Sequence, residues 1–177
     1  VTPFTMLDYP GKAACIVWLA GCNMRCAYCH NPQIVRGKGR GEIGKVLAFL
    51  ERRRGLLDGV VLSGGEATLY PGLLSFAQQV KAMGYAIKLD TNGTRPTTIR
   101  TMLAANMLDS VALDFKAPPE KFQAITGLQG WSEFSETLNL LLARRDQSYE
   151  IRTTIHSDLL DAQDVNAIIA ALDSGFP

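Results

Sequence analysis

Histidine is scarce in this sequence, with two in 177 residues. Chemistry that relies on several histidine acid–base groups has little to draw on. Cysteine is scarce as well. Four residues are too few, in a chain this long, for a disulfide framework. No apolar run approaches the roughly 18 residues of a transmembrane helix, so no membrane span is expected. A dominant charge of one sign is also missing. The formal net charge of +1 gives no electrostatic footprint for nucleic acid or for an acidic membrane surface. No linker or low-complexity segment interrupts the chain, and its length predicts a single domain across residues 1–177. Val1 opens it without a methionine and without a signal-like segment. Hydrophobic residues make up 47%, enough for a sizeable core.

What is present is concentrated in one stretch. Gly21-Cys22-Asn23-Met24-Arg25-Cys26-Ala27-Tyr28-Cys29-His30 carries three of the four cysteines, spaced C-x3-C-x2-C. Three thiolates on a short loop can address a common centre, and they are soft ligands of the kind that bind iron–sulfur clusters or zinc. A closed site of either kind takes four protein ligands. Cys15 lies in an apolar run and reads as a small buried hydrophobe. Cys22, Cys26 and Cys29 therefore read as metal ligands with one coordination position left open for a small molecule. Two other readings compete. One is a structural zinc site with His30 or Cys15 as fourth ligand. The other is haem attachment through Cys26-Ala27-Tyr28-Cys29-His30, which leaves Cys22 idle. Free thiols clustered on a loop fit a reducing cytoplasm.

Hydrophobic patterning predicts strands over 13–19, 59–62, 85–89, 110–113 and 149–155. It predicts helices over 42–54, from Pro71 to before Gly84, and over 96–105, 120–126, 132–145 and 161–172. Ser132 is a candidate cap, and Gly175-Phe176-Pro177 reads as a stop. The basic, glycine-rich 35–41 stretch reads as a surface loop, with a lid or partner contact as the alternative. β-α repeated five times argues a parallel sheet covered by helices. Five units cannot complete an eight-unit barrel of about 250 residues. The fold class is therefore α/β, a partial, open barrel with parallel strands. A sixth strand is expected before Ala13 or beyond Pro177.

The strand ends carry short polar groups. After the first come the cysteines, then Gly64-Gly65-Glu66, Asp90-Thr91-Asn92-Gly93, Asp114-Phe115-Lys116, and last His156. Successive parallel strands end on one rim, where ligands bind, so these groups should converge. Each alone has a plainer reading. Gly-Gly-Glu suits a tight turn with a solvated glutamate, Asn-Gly is a turn signal, and Asp114 with Lys116 suits a rim salt bridge. Trp18 and Trp131 read as packing residues. Arg152 has a possible carboxylate or substrate role, and His156 is left outside the site.

The cysteine spacing, with an aromatic residue before the last cysteine, resembles the radical S-adenosylmethionine (radical SAM) superfamily. Leu7-Asp8-Tyr9-Pro10-Gly11 and Cys29-His30-Asn31-Pro32 narrow the resemblance to glycyl radical enzyme activating enzymes, nearest to the anaerobic ribonucleoside-triphosphate reductase activating proteins. The resemblance covers the chain to about residue 165 and implies a (β/α)6-type fold. It implies a 4Fe–4S cluster on Cys22, Cys26 and Cys29, with SAM chelating the fourth iron. It implies that Gly64, Gly65 and Glu66 contact the methionine amine, that Lys116 contacts the carboxylate and that the Tyr28 backbone contacts adenine. Asp90, Thr91 and Asp114 would hold a monovalent cation, with Asn92 in the same segment. The partners implied are a glycyl radical enzyme, foremost an anaerobic ribonucleotide reductase, and an electron donor such as flavodoxin or ferredoxin. Two other functions stay in view: a radical SAM enzyme acting on a small molecule, like the deazaguanine-forming synthases, and a zinc-binding interaction module.

Overall fold

A computed structural model describes residues 1–39, 41–144, 146 and 148–174. Among these residues six strands form one sheet in chain order: β1 (Thr2–Thr5), β2 (Ala14–Leu19), β3 (Gly59–Gly64), β4 (Ala86–Thr91), β5 (Ser110–Asp114) and β6 (Ser148–Arg152). β2 to β6 are parallel. β1 and β6 are the two edges, so the barrel is open, as expected. The sixth strand does lie before Ala13, but it runs antiparallel to β2. It is an edge ribbon and adds no further β-α unit.

Among the described residues seven helices accompany the strands: α1 (Pro32–Arg36), α2 (Ile43–Glu51), α3 (Leu73–Ala82), α4 (Pro96–Ala104), α5 (Pro119–Thr126), α6 (Trp131–Leu142) and α7 (Ala162–Ser174). Alternate strand residues point to opposite faces. Val17, Val60, Ile87, Leu89, Val111 and Leu113 meet Phe76, Ile99, Met102, Phe134 and Leu138 of the helices in one continuous buried core. The other face holds a small second cluster of Tyr9, Ala14, Ile16 and Val61. Above it stand Lys88 and Asp90 of β4. Tyr9 belongs to the Leu7–Gly11 stretch, which crosses this inner face. Its ring lies so close to Gly59 that a Cβ there would sit 3.0 Å from it.

Several boundaries differ from expectation. α1 occupies part of the stretch read as a loop, because Pro32 suits the first helical turn. A short 3-10 turn at Ala67–Leu69 follows Glu66, and the chain turns again at Tyr70 before α3 starts at Leu73 rather than Pro71. Gly130, not Ser132, caps α6; the Ser132 hydroxyl donates to Glu133 instead. β6 ends at Arg152, short of residue 155. The predicted stop at 175–177, and the predicted helix end at 145, fall outside the described residues. No helix among the described residues is long and apolar enough to cross a membrane.

Candidate active site

The cysteine loop leaves β2 at Gly21 and is held from three sides. Gly65 donates its backbone N–H to Leu19 O (2.9 Å) and Glu66 donates to Gly21 O (2.8 Å). This contact explains the two glycines. A Cβ on Gly64, whose φ is +136°, would come 2.1 Å from Leu19 O, and one on Gly65 would come 2.1 Å from Gly21 O. Only glycine lets β3 approach the loop so closely. On the second side, Arg25 and Ala27 donate backbone N–H groups to Thr126 O (2.7 Å) and Ile125 O (3.1 Å) at the end of α5. The Arg25 guanidinium turns back on the loop and donates to Cys22 O and Met24 O, each at 2.7 Å. From the third side, Asn92 donates to Asn23 Oδ1 (3.0 Å), and Asn23 donates to Thr94 Oγ1 (2.8 Å).

The loop thereby presents Cys22, Cys26, Cys29 and Tyr28 to one cavity of about 290 Å³. Gly64, Gly65, Asp90, Asn92, Asp114 and Lys116 line the same cavity. Asp114 and Lys116 reach it because Phe115 between them points the other way, into an aromatic cluster with Trp131 and Phe134. His30 and Asn31 also line the wall, as does Trp18, which had read as a packing residue. Cys15 is fully buried on the helix-facing side, and His156 is exposed and away from the cavity wall.

Glu66 and Thr91 are not on the cavity wall. Glu66 is 1% exposed. Its Oε1 accepts from Thr68 N and Oγ1 and from Thr91 Oγ1, and its Oε2 accepts from Asn92 N at 2.6 Å. Burial pushes its carboxyl above the usual carboxylate range, and these donors pull it back. The carboxylate ties the ends of β3 and β4 together, the backbone N–H of the same residue adds the cysteine loop, and the glycines before it present backbone to the cavity.

The donor set fits an iron–sulfur group: Cys22, Cys26 and Cys29 line one cavity, and thiolates are the usual ligands of such clusters. Burial pushes the Cys22 and Cys26 thiols up, and Lys116 pulls both back. Cys22 Sγ accepts from Met24 N–H at 3.4 Å and from Asn92 at 3.8 Å, the kind of surrounding donor that orients a metal ligand.

The match to a family model decides the assignment. Residues 16–168 match the model of the radical SAM superfamily. The chain belongs to the radical SAM superfamily. It is an enzyme, and the family implies SAM and a 4Fe–4S cluster. A protein of Methanocaldococcus jannaschii assigned as a glycyl-radical enzyme activating enzyme is 32% identical over 177 residues, covering 95% of this chain and 72% of its own. The pyruvate formate-lyase-activating enzyme of Clostridium pasteurianum is 32% identical over 139 residues, covering 73% of this chain and 57% of its own. The chain thus spans little more than half of that second relative. Among solved structures, anSMEcpe with bound AdoMet superposes with a TM-score of 0.71 at 20% identity, over 90% of this chain and 48% of that one. That likeness shows the fold alone.

Four contributors to the site were not legible as such. Asn23 and Thr94 brace the loop, and Ser63 and Asp8 line the cavity. The first two sit among motif residues without a residue type that announces a role. A signal did exist for a fifth, Lys88. In Ala86-Ile87-Lys88-Leu89-Asp90 the polar residues alternate with apolar ones, which puts a lysine on the same face as Asp90.

Proposed function

We propose that this chain is the radical SAM part of a glycyl radical enzyme activating enzyme, and that its partner is an anaerobic ribonucleotide reductase. The carrying observation is the convergence of the three cysteines with Asp90, Asn92, Asp114 and Lys116 on one cavity in an open sheet. Cys22, Cys26 and Cys29 would hold the cluster and leave one iron for the amine and carboxylate of SAM. Such a cluster would supply the one electron for reductive cleavage of the SAM sulfonium to methionine and a 5′-deoxyadenosyl radical, the species that would take a hydrogen atom from a glycine of the partner. Lys116 places a positive charge at the cavity wall for the methionyl carboxylate. Gly64 and Gly65 let backbone carbonyls approach the amine. The Tyr28 backbone would meet the adenine. A flavodoxin or ferredoxin of the cytoplasm would deliver the electron.

Two features favour a macromolecular substrate over a small one. The sheet stays open between β1 and β6. Next in the chain to the cavity's wall residues Asp8 and Thr154 stand Leu7 (90% exposed) and Ile155 (60% exposed). Exposed apolar residues beside a site suit a protein surface. The test mixes reduced enzyme, SAM and candidate reductase without oxygen and records the electron paramagnetic resonance spectrum. A glycyl-type doublet on the partner is expected. Turnover of a deazaguanine precursor, with no doublet on any glycyl radical protein of the source organism, would move the assignment to the small-molecule enzymes.

A further inference from the structure

The resemblance implies a monovalent cation between Asp90 and Asp114. Here the two carboxylates already have positive partners from the chain. Arg152, at the end of β6, donates from Nε to Asp114 Oδ1 at 3.0 Å and brings a terminal nitrogen within 3.5 Å of Asp90 Oδ1. Lys88 is 2% exposed. Its Nζ lies 3.4 Å from the same Asp90 oxygen and 2.8 Å from Glu150, and donates to Asp8 O at 2.7 Å. Lys116 holds the other oxygen of Asp114 at 3.0 Å. Within this ion-paired network three carboxylates, Asp90, Asp114 and Glu150, face three cations.

Asp90 Oδ1 is buried and accepts no well-formed hydrogen bond, so Lys88 and Arg152 hold it by charge. A metal cation on that oxygen would share it with two positive side chains, and the repulsion is strong where water is sparse. A planar guanidinium can span two carboxylates that a point charge would have to sit between. Arg152 itself does not line the cavity. It holds one oxygen of Asp114 and leaves the other to Lys116, which does line it.

We propose that Arg152, backed by Lys88, is the built-in counter-cation of the Asp90–Asp114 pair, so that this chain binds SAM without a monovalent metal ion. Arg152 is then a positioning residue for the methionyl end of SAM. The proposal rests on the SAM-binding reading above.

The test titrates SAM into the reconstituted protein in potassium, sodium and choline chloride at equal ionic strength, and records unfolding midpoints without SAM in the same salts. For the unaltered chain the dissociation constants agree within about twofold, since screening is matched, and the midpoints coincide. Arg152→Gln weakens SAM binding about tenfold in choline, and potassium or sodium restores it. Arg152→Lys, which keeps a charge, stays indifferent to the cation. A tighter SAM constant or a higher midpoint for the unaltered chain when potassium or sodium replaces choline overturns the proposal. Should SAM fail to bind in every salt, the SAM reading falls, and the midpoints still decide the cation question by the same rule. Should Arg152→Gln not fold, the unaltered chain and Arg152→Lys decide it.

Discussion

The two halves of the strand-end rim are built differently. At the ends of β2, β3 and β4 the cysteine loop, Gly64-Gly65-Glu66 and Asn92 are locked by backbone hydrogen bonds, glycine close contacts and a buried carboxylate. At the ends of β5 and β6 the contacts are ion pairs among Asp114, Lys116 and Arg152, each partly open to solvent. The first half has one geometry, because its neighbours leave no room for another. The second half is held by long side chains that can exchange partners when a charged ligand arrives. A cluster needs fixed ligands, and a ligand that enters and leaves each turnover needs contacts that can re-form. The difference teaches that changes in the first half should act on cluster and fold, and changes in the second on SAM affinity.

The largest effect is expected where the first half meets metal. Substituting Cys22, Cys26 or Cys29 with Ala should each abolish the cluster, read as iron content and visible absorption after anaerobic reconstitution. Cys15→Ala should keep the cluster, since that side chain is buried among apolar residues of the core. Loss of the cluster in Cys15→Ala with retention in a loop variant would break the comparison at its root.

Next come the residues that hold the loop in place. Gly65→Ala places a Cβ 2.1 Å from Gly21 O, so β3 or the loop must move, at a cost of about 1–3 kcal/mol or more. Glu66→Ala strips the acceptor from two backbone N–H groups and two hydroxyls, and each unsatisfied buried donor costs about 1–3 kcal/mol. Both variants should lower the unfolding midpoint and load less iron. A Glu66→Ala protein of unaltered midpoint that loads its cluster normally, yet fails to bind SAM, would return the carboxylate to the ligand side.

In the second half, Lys116→Ala should lower the midpoint only modestly, because Asp114 is part-exposed and keeps Arg152 as a partner. It should weaken SAM binding by about 1.5–3 kcal/mol, the usual worth of a hydrogen bond to a charged group. The remaining affinity should depend less on salt, since a charge-assisted contact has gone. Calorimetric titration at two ionic strengths checks both. A collapse of the fold in Lys116→Ala would erase the distinction between the halves.

What the sequence allowed one to read follows the same division. The cysteine spacing and the strand-end motifs are local, and the architecture and the convergence on one cavity were legible from them. The burial of Glu66 was not legible, because it depends on Thr68, Thr91 and Asn92, and Thr91 and Asn92 come from a different strand end. Arg152 was undecided because register alone sets which face β6 shows, and register follows from pairing Asp114 with Arg152. The sixth strand could be expected but not placed, because the four residues of β1 are too few for a period, and it is held by its neighbour β2 rather than by its own pattern.

One side chain joins the halves and gives the finest test. Tyr28 leaves the cysteine loop and donates its hydroxyl to Lys116 O at 3.2 Å, linking the locked half to the charged one. The bond is long for an O–H donor, and the ring packs beside Ala117, Ile125 and Leu160. Tyr28→Phe keeps that packing and the backbone proposed to meet adenine, and removes one neutral hydrogen bond, worth about 0.5–1.5 kcal/mol. The cluster should load normally, because none of the loop's backbone bonds changes. The unfolding midpoint should fall slightly, and SAM should bind within about threefold of the unaltered chain, since a lost bond near 0.6 kcal/mol corresponds to such a factor. A tenfold loss would mean that the hydroxyl, through Lys116 O, sets the position of the charge facing the ligand, and that the second half depends on the first for more than its place in the fold.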